Sequence, residues 1–307
     1  MYDLVIIGGS AAGTAAGVYA ARRKLNFALI SDDFGGEVAT SGEIWNYPGF
    51  SETNGIELSD KFREHLTANN VEPELGVRVE QITKKGDVFE IKALKGGKEV
   101  VYEATAVIVA AGAHPRHLQI PGEEEYRGKG VTYCTTCDGP LYKGKKVVVV
   151  GGGNSGLESA LMLGEIAQHV TLININDSFN GEQVLIDKVE AHDNIDVIYN
   201  AETSRIEGEM TVKNIIYNNT TTAEEHSVET DGVFVHIGVI PNSGMMPDGV
   251  ELNKFKEVVV TQKCETSVPG LFAAGDVTSV PYKQIAIAVG QGVCAALSAI
   301  EYINRQE

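Results

Sequence analysis

The 307-residue chain is short of several things, and each shortage narrows what it can be. Basic residues are outnumbered by acidic ones, 25 to 42, for a formal net charge of -17. Such a surface repels phosphate backbones and anionic lipid, so neither nucleic acid nor membrane is an expected partner. Four cysteines are too few for a disulfide framework, and only Cys134 and Cys137 are close in sequence. The longest small or apolar run, residues 104–113 with one threonine, falls well short of a bilayer span. Neither a basic region nor a cleavage site stands at the N-terminus, where an apolar strand begins at Tyr2 and runs into glycines; a cytoplasmic protein is the expectation.

What is present is a duplication. The length has room for two domains. Residues 2–7 read as a buried strand, 8–13 as a tight turn, 14–23 as a helix and 27–31 as the next strand. Residues 146–150, 151–156, 157–166 and 170–174 spell the same order again. Each copy is followed by alternating strands, 77–109 and 196–236, that end in Ala110-Ala111-Gly112-Ala113 and His236-Ile237-Gly238. Prolines at Pro115 and Pro241 bracket the second copy, which therefore reads as a domain of residues 116–241 inserted into one made of 1–113 and 244–307.

A glycine turn between strand and helix lets backbone approach a pyrophosphate, which rests on the exposed N–H groups and positive dipole of the helix start. Gly151-Gly152-Gly153-Asn154-Ser155-Gly156 has the required GxGxxG spacing. The first copy, Gly8-Gly9-Ser10-Ala11-Ala12-Gly13, carries serine where the second glycine is wanted, small enough for close approach at some steric cost. The alternative for either is a tight structural turn. The residue at the end of the second strand selects the ribose; that is Ser31, with Asp32 next, in the first copy and Asn174 in the second. Asn174 can equally be an ordinary strand-end residue. No lysine or arginine lies between Gly156 and Lys188, so a 2′-phosphate lacks a local cationic partner and NADH is favoured over NADPH.

Cys134-Thr135-Thr136-Cys137 is the chemical centre of the chain. A CxxC beside a βαβ unit can cycle between dithiol and disulfide, one thiol resolving what the other forms. Zinc is the alternative and needs two further ligands, whereas Cys264 and Cys294 stand alone and read as buried small hydrophobes, so no metal is expected. Asp138 can move a proton to or from a thiolate, or simply cap a helix. Near the C-terminus Ala274-Gly275-Asp276, then Lys283-Gln284-Ile285, suit a carboxylate bonding a cofactor's ribitol chain, although alone the turn is only a strand end. The histidines have no metal-ligand spacing and read as structural or surface residues.

Together these residues resemble the low-molecular-weight thioredoxin reductase family over essentially the whole chain, with Cys134-x-x-Cys137-Asp138-Gly139 ahead of the second glycine turn as the most specific element. Residues 137–145, 151–156, 263–266 and 280–285 are similar to the reductase portion of alkyl hydroperoxide reductase flavoproteins, which use NADH. The resemblance implies an α/β fold of two nested Rossmann-like three-layer ββα dinucleotide-binding domains, FAD on the first and NAD(P)H on the inserted one, usually in a homodimer. It makes Gly8, Gly9, Ser10, Ala11, Ala12, Gly13, Gly36, Asn46, Gly275, Asp276 and Gln284 FAD contacts, with Ser31, Asp32, Glu37, Ala111, Gly112, Lys283 and Ile285 beside them. Gly151, Gly152, Gly153, Asn154, Ser155 and Gly156, with Asn174 and Gly238, would hold the nicotinamide dinucleotide. Cys137 would face the flavin and Cys134 attack the disulfide of a thioredoxin- or glutaredoxin-like protein, the inserted domain rotating between half-reactions. NADPH-type members carry a His-Arg-Arg-x-x-x-Arg stretch where this chain has residues 174–180, and the NADH-type relative has a glutamate near Asn174. A ferredoxin-fed reductase, a dithiol oxidase and a non-enzymatic flavin sensor are therefore competing readings.

Overall fold

The computed structural model describes residues 1–306. β1 (Tyr2–Ile7) is buried on both faces: Leu4 and Ile6 enter one core, Val5 and Ile7 another. That is the period-two alternation of an extended chain in a parallel sheet covered on both sides, and it is why the segment reads as an unbroken apolar run. Next come α1 (Ala11–Arg22), β2 (Phe27–Ile30), the single turn α2 (Gly36–Ala39), the short pair β3 (Glu43–Ile44) and β4 (Thr53–Asn54), and α3 (Gly55–Ala68). Asn54 caps α3, accepting the Glu57 N–H at 3.0 Å.

β5 (Val77–Lys85), β6 (Val88–Lys95) and β7 (Lys98–Val109) form an antiparallel meander. β7 is long enough to serve twice: residues up to Ala104 pair with β6, and from Ala104 onward it runs parallel to β1. β8 (Ala113–Pro115) leads out of this region.

The repeat then follows: β9 (Val131–Thr132), α4 (Thr135–Asp138), β10 (Lys146–Val150), α5 (Asn154–Gly164), β11 (His169–Ile173), α6 (Gln183–Glu190) and β12 (Ile195–Ile198). β13 (Ala201–Gly208), β14 (Val212–Asn219) and β15 (Glu225–Glu229) form an antiparallel three-stranded sheet, while β16 (Gly232–Val235) rejoins a parallel sheet of order β12-β11-β10-β16-β9. β10 repeats the logic of β1, with Val147 and Val149 facing the helices and Val148 and Val150 facing the other layer. β17 (Val239–Pro241) carries the chain back, β18 (Leu271–Ala273) adds beside β7, and α7 (Ile285–Asn304) closes the order.

The chain divides into two compact units, Met1–His114 with Ile240–Glu307, and Pro115–Val239. In the first, α1, α3 and α7 cover one face of the parallel strands and the meander residues Val77, Ile82, Phe89 and Ile91 cover the other. The second repeats this with α5 on one face and Ile206, Val212 and Ile215 on the other. Each unit is a three-layer α/β arrangement, as expected.

α7 is a longer apolar element than the uninterrupted run of residues 104–113. It is the helix among the described residues that is long and apolar enough to cross a membrane, although glycine, glutamine and serine break up its apolar run in the sequence. Here one face of the helix, with Ala288, Ala295, Ala296, Ala299 and Ile303, lies in the core against α1. Small residues bring the two helices into backbone contact: a Cβ on Gly292 would fall 2.1 Å from the Ala12 carbonyl oxygen. Gly292→Ala is therefore expected to cost about 1–3 kcal/mol by overpacking, seen as a thermal midpoint several degrees lower. An unchanged midpoint in a melting curve would show that this contact does not set the helix spacing.

Candidate functional site

In the first unit the chain turns at Gly8, whose φ of 117° places it in glycine's region. A Cβ there would fall 2.2 Å from the Ala110 oxygen, and one on Gly13 would fall 1.8 Å from the Gly8 oxygen. The start of α1 is thus drawn down onto the ends of β1 and β7. Its first-turn N–H groups have no intrahelical partner and face the turn.

Ser10 explains itself in this setting. Its hydroxyl donates to the Gly35 carbonyl at 2.6 Å rather than capping the helix, the Gly35 N–H donates to Gly9 O at 3.0 Å, and the Gly9 N–H donates to Ser31 Oγ at 2.9 Å. The serine lashes the first turn to the second, Gly35-Gly36. Ser31 is committed to that lashing, while Asp32 beside it is exposed.

Gly275, at φ 79°, packs close to Ala12, and its N–H donates to Gln291 Oε1 at 2.9 Å. Asp276 follows; burial raises its carboxyl pKa, Lys283 offsets this and Glu37 adds to it. A carboxylate so placed is steadied by a hydroxyl donor such as a ribitol chain supplies. Asn46 Nδ2 donates to Gln284 Oε1 at 3.2 Å at the start of α7. Gly112 is held by Asn242 N–H at 3.0 Å, and Ala111 O accepts Asn242 Nδ2 at 2.8 Å.

Lys283 stands close enough to Asp276 to offset its burial, and its ammonium is engaged within the protein. Its ammonium donates to Thr278 O and Val280 O and pairs with Glu257 at 2.9 Å, which occupies its three donors within the protein. The first turn fits a flavin dinucleotide: backbone space where a Cβ is excluded, a helix start facing it and a half-buried carboxylate on the same unit. Two buried hydroxyl oxygens lack a hydrogen-bond partner among the described residues, that of Thr14 on α1 and that of Ser59 beside Gly35.

The second unit copies this device. Gly151 has φ 135°, its Cβ would fall 2.1 Å from His236 O, and one on Gly156 would fall 2.0 Å from Gly151 O. Gly153 faces open space, and Gly238, at φ 114°, has its carbonyl held by the Arg116 N–H at 2.9 Å.

Asn174 is not presented as a ribose contact. It is 2% exposed, packs where a Gly152 side chain would stand, and donates to Ser178 O at 2.7 Å. The loop after it folds over the turn: Asn180 N–H donates to Gly152 O at 2.9 Å, and Glu182 N–H donates to Asn154 Oδ1 at 2.7 Å. Asn154 Nδ2 returns a bond to the Glu182 carboxylate at 3.2 Å.

Cys134 and Cys137 are joined as a disulfide in this same unit. Cys134 Sγ sits at the start of α4 and accepts the Cys137 N–H at 3.2 Å, a contact that also favours a thiolate. Thr132 accepts the Cys134 N–H at 3.3 Å and donates its hydroxyl to the Asp138 carboxylate.

Three neighbours escaped the sequence reading. Glu123 is 3% exposed, accepts the Leu118 and Gln119 N–H groups at 2.8 and 2.7 Å and receives the Tyr133 hydroxyl at 2.9 Å. Tyr133, directly before Cys134, also contacts His117 Nδ1 at 3.1 Å, and burial followed by the Glu123 bond pushes its pKa up. In the run Glu123-Glu124-Glu125 nothing distinguishes the buried member. His236, read as structural or surface, bonds Thr135 and Ser155.

Among the described residues no three or more His, Cys, Asp or Glu side chains are grouped so as to hold a metal ion. Cys264 and Cys294 are not solitary, however. Cys264 is buried, its thiol meets Gln291 O at 3.5 Å one helical turn before Cys294, and burial with the neighbouring Cys294 pushes its pKa up to about 12.

Comparison with known proteins agrees with this geometry. The chain is 40% identical over 308 residues to the F subunit of alkyl hydroperoxide reductase from Escherichia coli (strain K12), covering 99% of this chain but 58% of that protein. It therefore spans about three-fifths of that relative's length. Among solved structures, thioredoxin reductase from Streptococcus pyogenes MGAS5005 superposes with a TM-score of 0.93 at 36% identity, covering 99% of both chains. A ferredoxin-flavin thioredoxin reductase from Clostridium acetobutylicum matches at 30% identity and TM-score 0.53, covering 99% of this chain and 98% of that one. With residues 2–292 also matched by the family model for pyridine nucleotide-disulphide oxidoreductases, the chain belongs to that family as an oxidoreductase of the low-molecular-weight thioredoxin reductase type.

Proposed function

We propose that the chain is a disulfide reductase that passes electrons from a reduced pyridine nucleotide, NADH in preference to NADPH, through FAD to the Cys134–Cys137 disulfide and on to a thioredoxin- or glutaredoxin-like protein. The observation that carries this reading is the Cys134–Cys137 disulfide in the same unit as the second glycine turn. The first turn, with Asp276, supplies the place for flavin, and Gly151 to Gly156 the place for the nicotinamide dinucleotide. Bound FAD supplies a two-electron relay between nicotinamide and disulfide.

The residues' own part is thiol exchange. Once the pair is reduced, the Cys134 thiolate, steadied by the Cys137 N–H, attacks one sulfur of the partner disulfide and expels the other as a thiolate. Cys137 then attacks the mixed disulfide at Cys134, releasing the partner as a dithiol and restoring the internal bond. Asp138, hydrogen-bonded to Thr132, is placed within the same short helix to exchange a proton with the pair.

A second reading is favoured by one observation. The loop over the second turn is closed by its own bonds, and the Glu182 carboxylate lies on Asn154, the first residue of α5, where a pyrophosphate would rest. Negative charge there opposes phosphate. A donor without a nicotinamide, of the ferredoxin kind, would need no such site.

Three measurements check these readings. In anaerobic titration, NADH is expected to bleach the bound flavin at least about tenfold faster than NADPH, the equivalent of one missing charge-assisted hydrogen bond. Equal or faster bleaching by NADPH overturns the nucleotide preference, and silence with both while reduced ferredoxin bleaches the flavin selects the second reading. Replacing Cys134 and Cys137 together by serine is expected to retain the yellow flavin but lower acceptor reduction by about a thousandfold or more. Cys137→Ser alone should accumulate a mixed disulfide on Cys134, detectable by mass spectrometry. Unchanged turnover in the double variant contradicts the exchange role.

A further inference from the structure

His236 follows β16 at a point where it touches both chemistry-bearing loops of its unit. Its backbone carbonyl fills the space beside Gly151. Its ring reaches in two directions: Nδ1 lies 3.1 Å from the hydroxyl of Ser155, inside the glycine turn, and Nε2 lies 2.8 Å from the hydroxyl of Thr135, the residue after Cys134. Thr135 in turn shares a short hydrogen bond with Ser159 on α5. Thr135 and Ser159 are 6% and 4% exposed, which keeps water from that end of the chain of bonds, while Ser155 at the other end is open to solvent. Burial pulls the imidazole pKa down to about 4, which keeps the ring neutral near pH 7.

A neutral imidazole has one N–H, so one nitrogen donates and the other accepts. With the proton on Nε2 the ring donates to Thr135, and Ser155 spends its only hydrogen on Nδ1. With the proton on Nδ1 the ring donates to Ser155, whose hydrogen is then available to a phosphate oxygen at the start of α5, and Thr135 must donate to Nε2 instead. The two arrangements differ at both ends: in what the glycine turn offers a phosphate, and in how the first residue of α4 is bonded beside the disulfide.

We propose that His236 is a positioning residue that couples occupancy of the second glycine turn by a dinucleotide pyrophosphate to reduction of the Cys134–Cys137 disulfide, by reversing the hydrogen-bond direction along Ser155, His236 and Thr135. This rests on the reading of Gly151 to Gly156 as a dinucleotide site. Linkage makes the effect reciprocal: whatever factor pyrophosphate binding applies to the dithiol–disulfide equilibrium, reduction applies to pyrophosphate affinity.

The test uses the flavin-loaded protein and ADP-ribose, which carries the pyrophosphate but no nicotinamide. Binding is measured by calorimetry. Separately, the Cys134–Cys137 pair is equilibrated with dithiothreitol, which gives two electrons and two protons per disulfide opened and closes to its own cyclic disulfide. The ratio is read by thiol alkylation and mass spectrometry. Saturating ADP-ribose is expected to change the dithiol to disulfide ratio by about fivefold or more, about 20 mV for a two-electron couple. The change should vanish in His236→Phe, which keeps a ring without polar atoms, and in Ser155→Ala, and persist in His236→Gln, whose amide exchanges its donor and acceptor ends by turning over. Binding without a change of ratio in the unaltered protein, or a full change in His236→Phe or Ser155→Ala, overturns the coupling alone. Absence of any ADP-ribose binding overturns the dinucleotide reading together with it.

Discussion

The structure depends on one steric constraint met twice: the backbone at the start of a helix must come within contact of the backbone at the end of a neighbouring strand. Gly8 against Ala110 and Gly151 against His236 leave no volume for a Cβ, and Gly13 and Gly156 close the same turns from the helix side. This approach aims unpaired N–H groups and the positive end of a helix at one point above each parallel sheet. Everything chemical in the chain is arranged around those two points. The first is reinforced by Ser10 and Ser31, which convert a departure from the glycine pattern into a tether.

The two points differ in electrostatic character, and that difference bears on function more than the shared fold does. The first has Asp276, with its carboxyl held in a half-buried pocket between the opposing influences of Lys283 and Glu37. The second is ringed by amides, hydroxyls and the Glu182 carboxylate, with no lysine or arginine in residues 157–187. Neutral hydrogen-bonding groups discriminate ligands by geometry and leave phosphate charge unmatched. In a chain of net charge -17 this is a demanding place for a polyanion, and on the function proposed here a pyrophosphate would have to be recognised by backbone N–H groups and by Ser155.

The disulfide belongs to a polar network rather than to an isolated loop. Thr132 joins the Cys134 backbone to Asp138, Tyr133 is held by the buried Glu123, and Thr135 reaches His236. Part-buried bonds of this kind help to hold a loop in one geometry, because an unmade bond away from water costs more than a made one contributes.

Some of this was legible from residue order. The two strand-turn-helix copies could be read because a doubly covered parallel strand has to be apolar throughout and its turn has to be glycine. The CxxC pair could be read because two residues between cysteines permit a disulfide within one helical turn. Asn174 stands at the expected strand end, yet which way its side chain points depends on a loop that folds back over Gly152. Likewise the burial of Glu123 within three glutamates, the meeting of Cys264 with Cys294, the packing of one face of α7 on α1 and the bridging by His236 are contacts between distant stretches of chain, which composition and spacing do not encode. The sequence by itself determined the elements, the glycine turns and the redox pair, since local backbone sterics and short spacing suffice for these; only the tertiary structure decided which polar side chains face one another, since that requires long-range packing to bring them into one dry volume.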